Sequence, residues 1–436
     1  MFPNPQDTLP LPQHPDIEQY RKLAKELVEA CRRGSNDAAI KQWATAWVQR
    51  VVKLAGIDFT PDQPVDVDRW TEQVSDFACH KLASAHGGKC SLAQAQFVIA
   101  RAHGFESWPK FIRELEELAH DKSAASAFDQ AADAIVRGDA ARLRDLLRDN
   151  PELVRERSRR EHRATLLHYT SANGIEGYRQ KTPANIVEIA RILLDAGAEV
   201  DAVADVYGGG STTLGLAATS VHPERAGVQE ELMQLLLDRG ATIEQVNIAG
   251  NNQSIVNACL ANGRVAAAEF LAHKGAPLDL EGACGLGRLD LVQKLVESTS
   301  GLDQEQLTRG FRWACGYRRN EVVDFLLARD PELGTRPGAS GETGLHRAGH
   351  EGHAEIVAAI LQANRTGDVN IRDKQFHGTP LDWALHGWSE NPKRGDYYAV
   401  LRALIKAGAR FHASEHRAEL LARLRGDERM RELLGM

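Results

Sequence analysis

The feature that most constrains this chain is a repeated order of turn, short helix, glycine turn and longer helix. One copy is GETGLHRAGHEGHAEIVAAILQAN, from Gly341 to Asn364. Thr343 stands where a hydroxyl can cap the short helix, His346 where a ring can bond to the neighbouring loop, and Gly352 where the chain must turn tightly. A unit this short cannot bury its apolar face alone, so several must stack. The period therefore displaces the division into three globular domains that 436 residues would otherwise suggest.

Further copies follow from aligning the chain on that segment. GTPLDWALHGW joins YYAVLRALIKAGA, whose Leu401, Leu404 and Ile405 mark one buried helix face. TLLHYTSANG pairs with VEIARILLDAGAEVDA, and STTLGLAATS with ELMQLLLDRGATIE. SIVNACLANGRVAAAEFLAHKGAPLD, GACGLGRLDLVQKLV and FRWACGYRRNEVVDFLLARDPEL supply three more, and FDQAADAIVRGDAARLRDLLRDNPELV has the polar character of a first, capping unit. That makes about eight units over 126–412. Residues 413–436 read as a capping helix, and residues 1–122 as an α-helical N-terminal domain with Ser91 as an N-cap and a turn at Gly104. The expected fold is an all-α solenoid of helix-turn-helix units with short hairpin fingers.

These motifs resemble the ankyrin repeat. LAKELVEACRRG and SLAQAQFVIARAHGFESWPKF, with the later repeats, resemble bacterial ankyrin-repeat proteins that carry a helical N-terminal domain. The resemblance implies a binding surface lined by hairpin tips and first helices, with another protein as the partner.

Composition narrows the partner further. A net charge of -7 without a Lys/Arg block argues against nucleic acid. The start MFPNPQDTLPLPQHPD lacks a signal-peptide pattern and no long apolar run follows, so a cytoplasmic protein without a membrane segment is expected. Six scattered cysteines fit reduced thiols, with no disulfide framework expected. Aromatics are only 6%, so those in the C-terminal first helices stand out. Trp313, Tyr317, His350, Glu351, Trp383, His386 and Trp388 are the candidates for groove recognition.

Three repeats carry extra residues between their helices, at about 175–185, 221–230 and 388–396. With the Gly-rich finger 205–213, the first two suggest an alternative: a polar pocket for a small anionic or polar ligand, or for cofactor-independent acid/base chemistry. Arg179, Lys181, Tyr207, Gly209 and Ser211 would bind, and His168, Tyr169 and His222 would move protons. Against that, His168 also fits the loop-bridging position. No recognised catalytic motif is present, and no cofactor is expected. No metal site is expected either: His346, His350 and His353 have helical spacing but two hold repeat positions, and Cys79, His80, His86 and Cys90 lack a recognised ligand spacing.

Overall fold

The computed structural model describes residues 4–12, 15–32, 37–56, 67–83, 90–119, 124–243, 254–298, 303–363, 367–412 and 418–436. The chain is mostly helical and divides into two compact units, Met1–Leu271 and Ala272–Met436. No described helix is long and apolar enough to cross a membrane.

In the first unit, five helices (Ile17–Arg32, Asp37–Leu54, Val67–Ala83, Leu92–Ala102 and Trp108–Leu118) enclose a core that includes Trp47, Phe105 and Phe111. Ser91 caps the fourth through a reciprocal box with Gln94, because its hydroxyl accepts the Gln94 N–H while the Gln94 carboxamide accepts the Ser91 N–H. The turn expected at Gly104 is present, with φ of +81°. Repeats then begin. Their first elements (Ala124–Arg137, Leu166–Ser171, Thr213–Thr219 and Ile255–Ala261) stack in sequence, as do the second helices Ala140–Asp149, Ile186–Asp195 and Gln229–Asp238.

The second unit repeats the pattern. First helices Leu280–Leu286, Gln304–Gly316, Gly344–His350 and Pro380–Glu390 pack in that order, and Asn320–Arg329, Ala354–Ala363 and Tyr397–Lys406 form the second row. Both units are all-α, and among the described residues the one two-stranded sheet lies in a finger, where Val203–Ala204 pairs antiparallel with Ser211–Thr212. The core of the second unit runs from Leu280 to Met430 through Phe311, Leu345, Leu381 and Tyr397. Residues 418–436 form two short helices, because the Asp427 side chain accepts the Met430 N–H and starts a new one.

The repeat signature does the mechanical work that its residue types imply. Thr343 Oγ1 accepts the His346 N–H, His346 Nδ1 accepts the Thr343 N–H at 3.1 Å, and His346 Nε2 donates to the Gly378 carbonyl at 3.1 Å in the next loop. Thr165, His168 and the Ser211 carbonyl repeat the arrangement. Gly352 turns with φ of +72°, a region open to glycine.

The cysteine expectation needs correction. Cys31 and Cys90 are joined as a disulfide across 59 residues, while Cys79, Cys259, Cys284 and Cys315 are free. The scattered spacing conceals this pair because the helix Ile17–Arg32 packs on Leu92–Ala102, bringing its C-terminal Cys31 beside the residue that leads into the latter.

Candidate functional site

Polar side chains concentrate in two regions, one in each unit. The first centres on Glu176 in the insert that precedes Ile186–Asp195. Its carboxylate is fully buried and is met by four hydrogen bonds and a further ion pair with Arg160. On Oε1 these come from His162 Nε2 at 3.1 Å, Tyr169 at 3.2 Å and Arg160 at 3.1 Å. On Oε2 they come from Tyr178 at 3.0 Å and Arg179 at 2.6 Å. Burial alone would raise this carboxyl, but Arg160, Arg179 and the His162 bond hold it well below the usual carboxylate range. Glu176 sits at φ of +40°, uncommon for a residue with a side chain. That strain is borne because the surrounding ion pairs over-determine its position.

Arg179 completes the arrangement by also reaching Asp133 at 2.8 Å and Asp129 at 2.9 Å. The N-terminal segment lies across the same insert: the Glu176 N–H donates to the Pro5 carbonyl at 3.1 Å, and the Leu9 N–H donates to the Ala102 carbonyl at 2.8 Å. His103 is enclosed beneath that segment, bonded through Nδ1 to the Leu9 carbonyl and stacked on Phe111. Burial takes its pKa down to about 3. Glu114, buried in the helix Trp108–Leu118, is pushed up to about 7 by burial and then by Asp129, against the pull of Arg159.

The residues of the expected pocket do not converge on one point. Tyr169 and Arg179 meet at Glu176, but His168 is bonded to Thr165 and Ser211 with its pKa taken down to about 4 by burial. Tyr207 donates to Asn173 at 2.7 Å. The Ser211 hydroxyl donates to the Val206 carbonyl, and the Gly209 N–H is taken by the same carbonyl at 3.0 Å, so the finger uses its own polar groups. His222 lies in the separate short helix Val221–Arg225, where burial and Arg225 lower its pKa. Lys181, half-buried, follows the Arg179 turn. Neither the central Glu176 nor its partner Arg160 stands out in sequence, since both sit in polar runs where Arg179 and Lys181 draw the attention.

The second region lies on the first-helix row of the C-terminal unit. Trp313 and Tyr317, one helical turn apart, stack with centroids 5.7 Å apart and 14° between planes. Trp383 makes T-shaped contacts with His346 at 5.4 Å and His350 at 5.8 Å, while the Arg347 guanidinium lies 5.7 Å from its ring. His350 and His386 are neighbours, with ring centroids 5.8 Å apart. Glu351 bonds His350 Nδ1 at 2.8 Å, and although burial works against its charge, that bond and Arg394 hold its pKa below the ordinary value. Trp388 departs from this row: it is 5% exposed in the core, with the Arg423 guanidinium 5.4 Å from its ring. Its offset of five residues from Trp383 turns it to the opposite face of the helix.

Phe376 is the recognition candidate that sequence patterning misses. It stands 67% exposed at the finger preceding Pro380–Glu390, its ring 6.1 Å from Trp383. Asp373 builds the finger by accepting the N–H groups of Gln375, Phe376 and Gly378 and the Trp383 indole N–H at 3.1 Å. Burial opposes the Asp373 charge, but these bonds outweigh it and lower its pKa. The usable signal in DKQFHG is an acid that can cap its own turn, followed by an aromatic with no apolar neighbours.

His346 is committed to the Gly378 carbonyl, and His353 through Nδ1 to the Cys315 carbonyl at the end of the preceding first helix, at 3.0 Å. Cys90 is taken by Cys31, and His86 lies outside the described residues.

Residues 340–374 match the family model for the ankyrin repeat. No curated protein matches the chain. Among solved structures the chain is similar to the ankyrin repeat domain of Bcl-3, described as a unique member of the IkappaB protein family, at 18% identity and a TM-score of 0.31, over 58% of this chain and 93% of that one. It is also similar to the human ASB11 ankyrin repeat domain, at 17% identity and a TM-score of 0.30, over 57% of this chain and 100% of that one.

Proposed function

We propose that this chain, with an ankyrin repeat at 340–374, is a binding protein that engages another protein through the first-helix row and fingers of its C-terminal unit. Ankyrin repeats generally mediate protein–protein interaction. In this reading Tyr317, His350, Glu351, Trp383 and His386 line the surface, Trp313 stacks on Tyr317, and Phe376 extends the surface at the finger. The observation that carries the reading is Phe376, a large ring 67% exposed on a turn made rigid by Asp373. A rigid aromatic anchor binds with little loss of conformational entropy, which is why such side chains dominate interface energetics.

Recognition is favoured over chemistry because the Glu176 cluster spends its donors internally. An acid/base group must reach a substrate proton, whereas the Glu176 oxygens are taken by five groups of the same chain.

Affinity capture with the full chain and with Phe376→Ala/Trp383→Ala, quantified by mass spectrometry, tests the proposal. The variant is expected to lose at least one partner held by the parent, with binding weakened by about 30-fold for a lost hot spot. Equal retention of every partner would overturn it.

A further inference from the structure

We propose that His350, His386 and Glu390 form a binding site for one zinc ion, assembled from two consecutive repeats. Their ligand atoms all lie within 4.8 Å of one another. His350 Nε2 is 3.5 Å from Glu390 Oε2, and His386 Nε2 is 3.3 Å from Glu390 Oε1. Tetrahedral zinc, with nitrogen and oxygen ligands about 2.0–2.2 Å from the metal, places its ligands about 3.4 Å from one another.

Two local features assemble this triad. His386 and Glu390 are one helical turn apart on Pro380–Glu390 and share a face. His350 reaches them from Gly344–His350 because Gly387 lets the helices touch: a Cβ there would collide with the His350 carbonyl. Tyr397 holds the same carbonyl with a 2.8 Å hydrogen bond.

Glu351 gives independent support. With His350 Nδ1–H donating to its carboxylate at 2.8 Å, the Nε2 lone pair faces His386 and Glu390. A carboxylate behind a histidine ligand fixes the tautomer and increases ligand basicity, the usual outer support of a bound metal. Arg394 lies at the rim, 3.4 Å from Glu351 and 3.5 Å from Glu390, and supplies countercharge that the ion would replace. Two imidazoles and one carboxylate suit zinc rather than magnesium or calcium, which prefer all-oxygen sets, and the fourth position is left to water.

The full chain, stripped with a chelator and titrated with zinc against a chromogenic indicator, tests this without any partner, so failure leaves the protein-binding proposal untouched. One equivalent is expected to bind, and cobalt in its place is expected to give the intense visible bands of a tetrahedral site. His386→Ala and Glu390→Gln, on exposed side chains, should each lower affinity more than about 100-fold, and Glu351→Gln about 10–100-fold. His412→Ala, an exposed histidine outside the triad, should change nothing. No stoichiometric uptake, or uptake indifferent to His386→Ala and Glu390→Gln, would overturn the proposal.

Discussion

The cluster around Glu176 and the row around Trp383 are both dense in charge and aromatic rings, yet their interactions end in different places. At Glu176 every carboxylate bond terminates on the same unit, and Arg160 and Arg179 are 3% and 7% exposed. Along the row, His386 and Phe376 face solvent. Polar density alone is thus a poor guide to a binding site. What separates the two regions is whether donors and acceptors are already spent, which only tertiary contacts reveal.

The largest effect should come from removing the buried centre. Glu176→Leu takes the carboxylate from the buried Arg160, while Arg179 keeps Asp129 and Asp133, and should cost about 3–5 kcal/mol, measured by urea unfolding of the full chain. Glu176→Gln, which keeps the shape and loses the charge, should fall between it and the parent. If Glu176→Leu is as stable as the parent, the two regions do not differ in the way described.

The next effect is pH dependence in the first unit. His103 and His168 have pKa values lowered to about 3 and about 4. Unfolding releases both to near 6.5, so the unfolded chain binds more protons and stability is lost as pH falls from about 6.5. Glu114, raised to about 7, works in the opposite sense, being relieved by protonation. Two histidines against one carboxyl leave a net loss on the order of 3 kcal/mol between about pH 6.5 and 4.5, read from urea midpoints. An unchanged midpoint across that window would show that these rings are not held neutral.

Smaller changes should mark the C-terminal unit. Thr343→Ala removes a helix cap and should cost about 1 kcal/mol by the same unfolding measurement. Phe376→Ala should alter stability by no more than about 0.5 kcal/mol, yet it removes the side chain on which partner binding is proposed to depend. The comparison sharpens if stability and binding losses run in opposite orders across Glu176, Thr343 and Phe376.

Local rules made much of the repeat architecture legible. Thr343, His346 and Gly352 act within a few residues or on the adjoining loop, and Ser91 caps its helix through a neighbour three positions away. The row was legible for a related reason: His350 and His386 occupy the same position after their cap threonines, Thr343 and Thr379, and the stack makes equivalent positions adjacent. Glu176 was not legible because its partners are distributed over Arg160, His162, Tyr169 and the Pro5 segment. The insert IEGYRQK reads as the wall of a polar pocket until its charges are seen to pair with one another and the N-terminal residues to bond to it. Arg179 is intermediate, a misfit in its repeat whose two aspartates lie on another helix. Trp388 looked like a member of the row by composition, and only helix phase turns it inward.

The bond between the Pro5 carbonyl and the Glu176 N–H also orders events in time. About 170 residues must be synthesised between the two, so at about 5–20 residues per second the early segment waits about 10–30 s for its partner. Its bond from Leu9 to Ala102 becomes available much sooner. In the nascent chain, Pro5 therefore waits for Glu176 after Leu9, four residues along, can already have paired with Ala102.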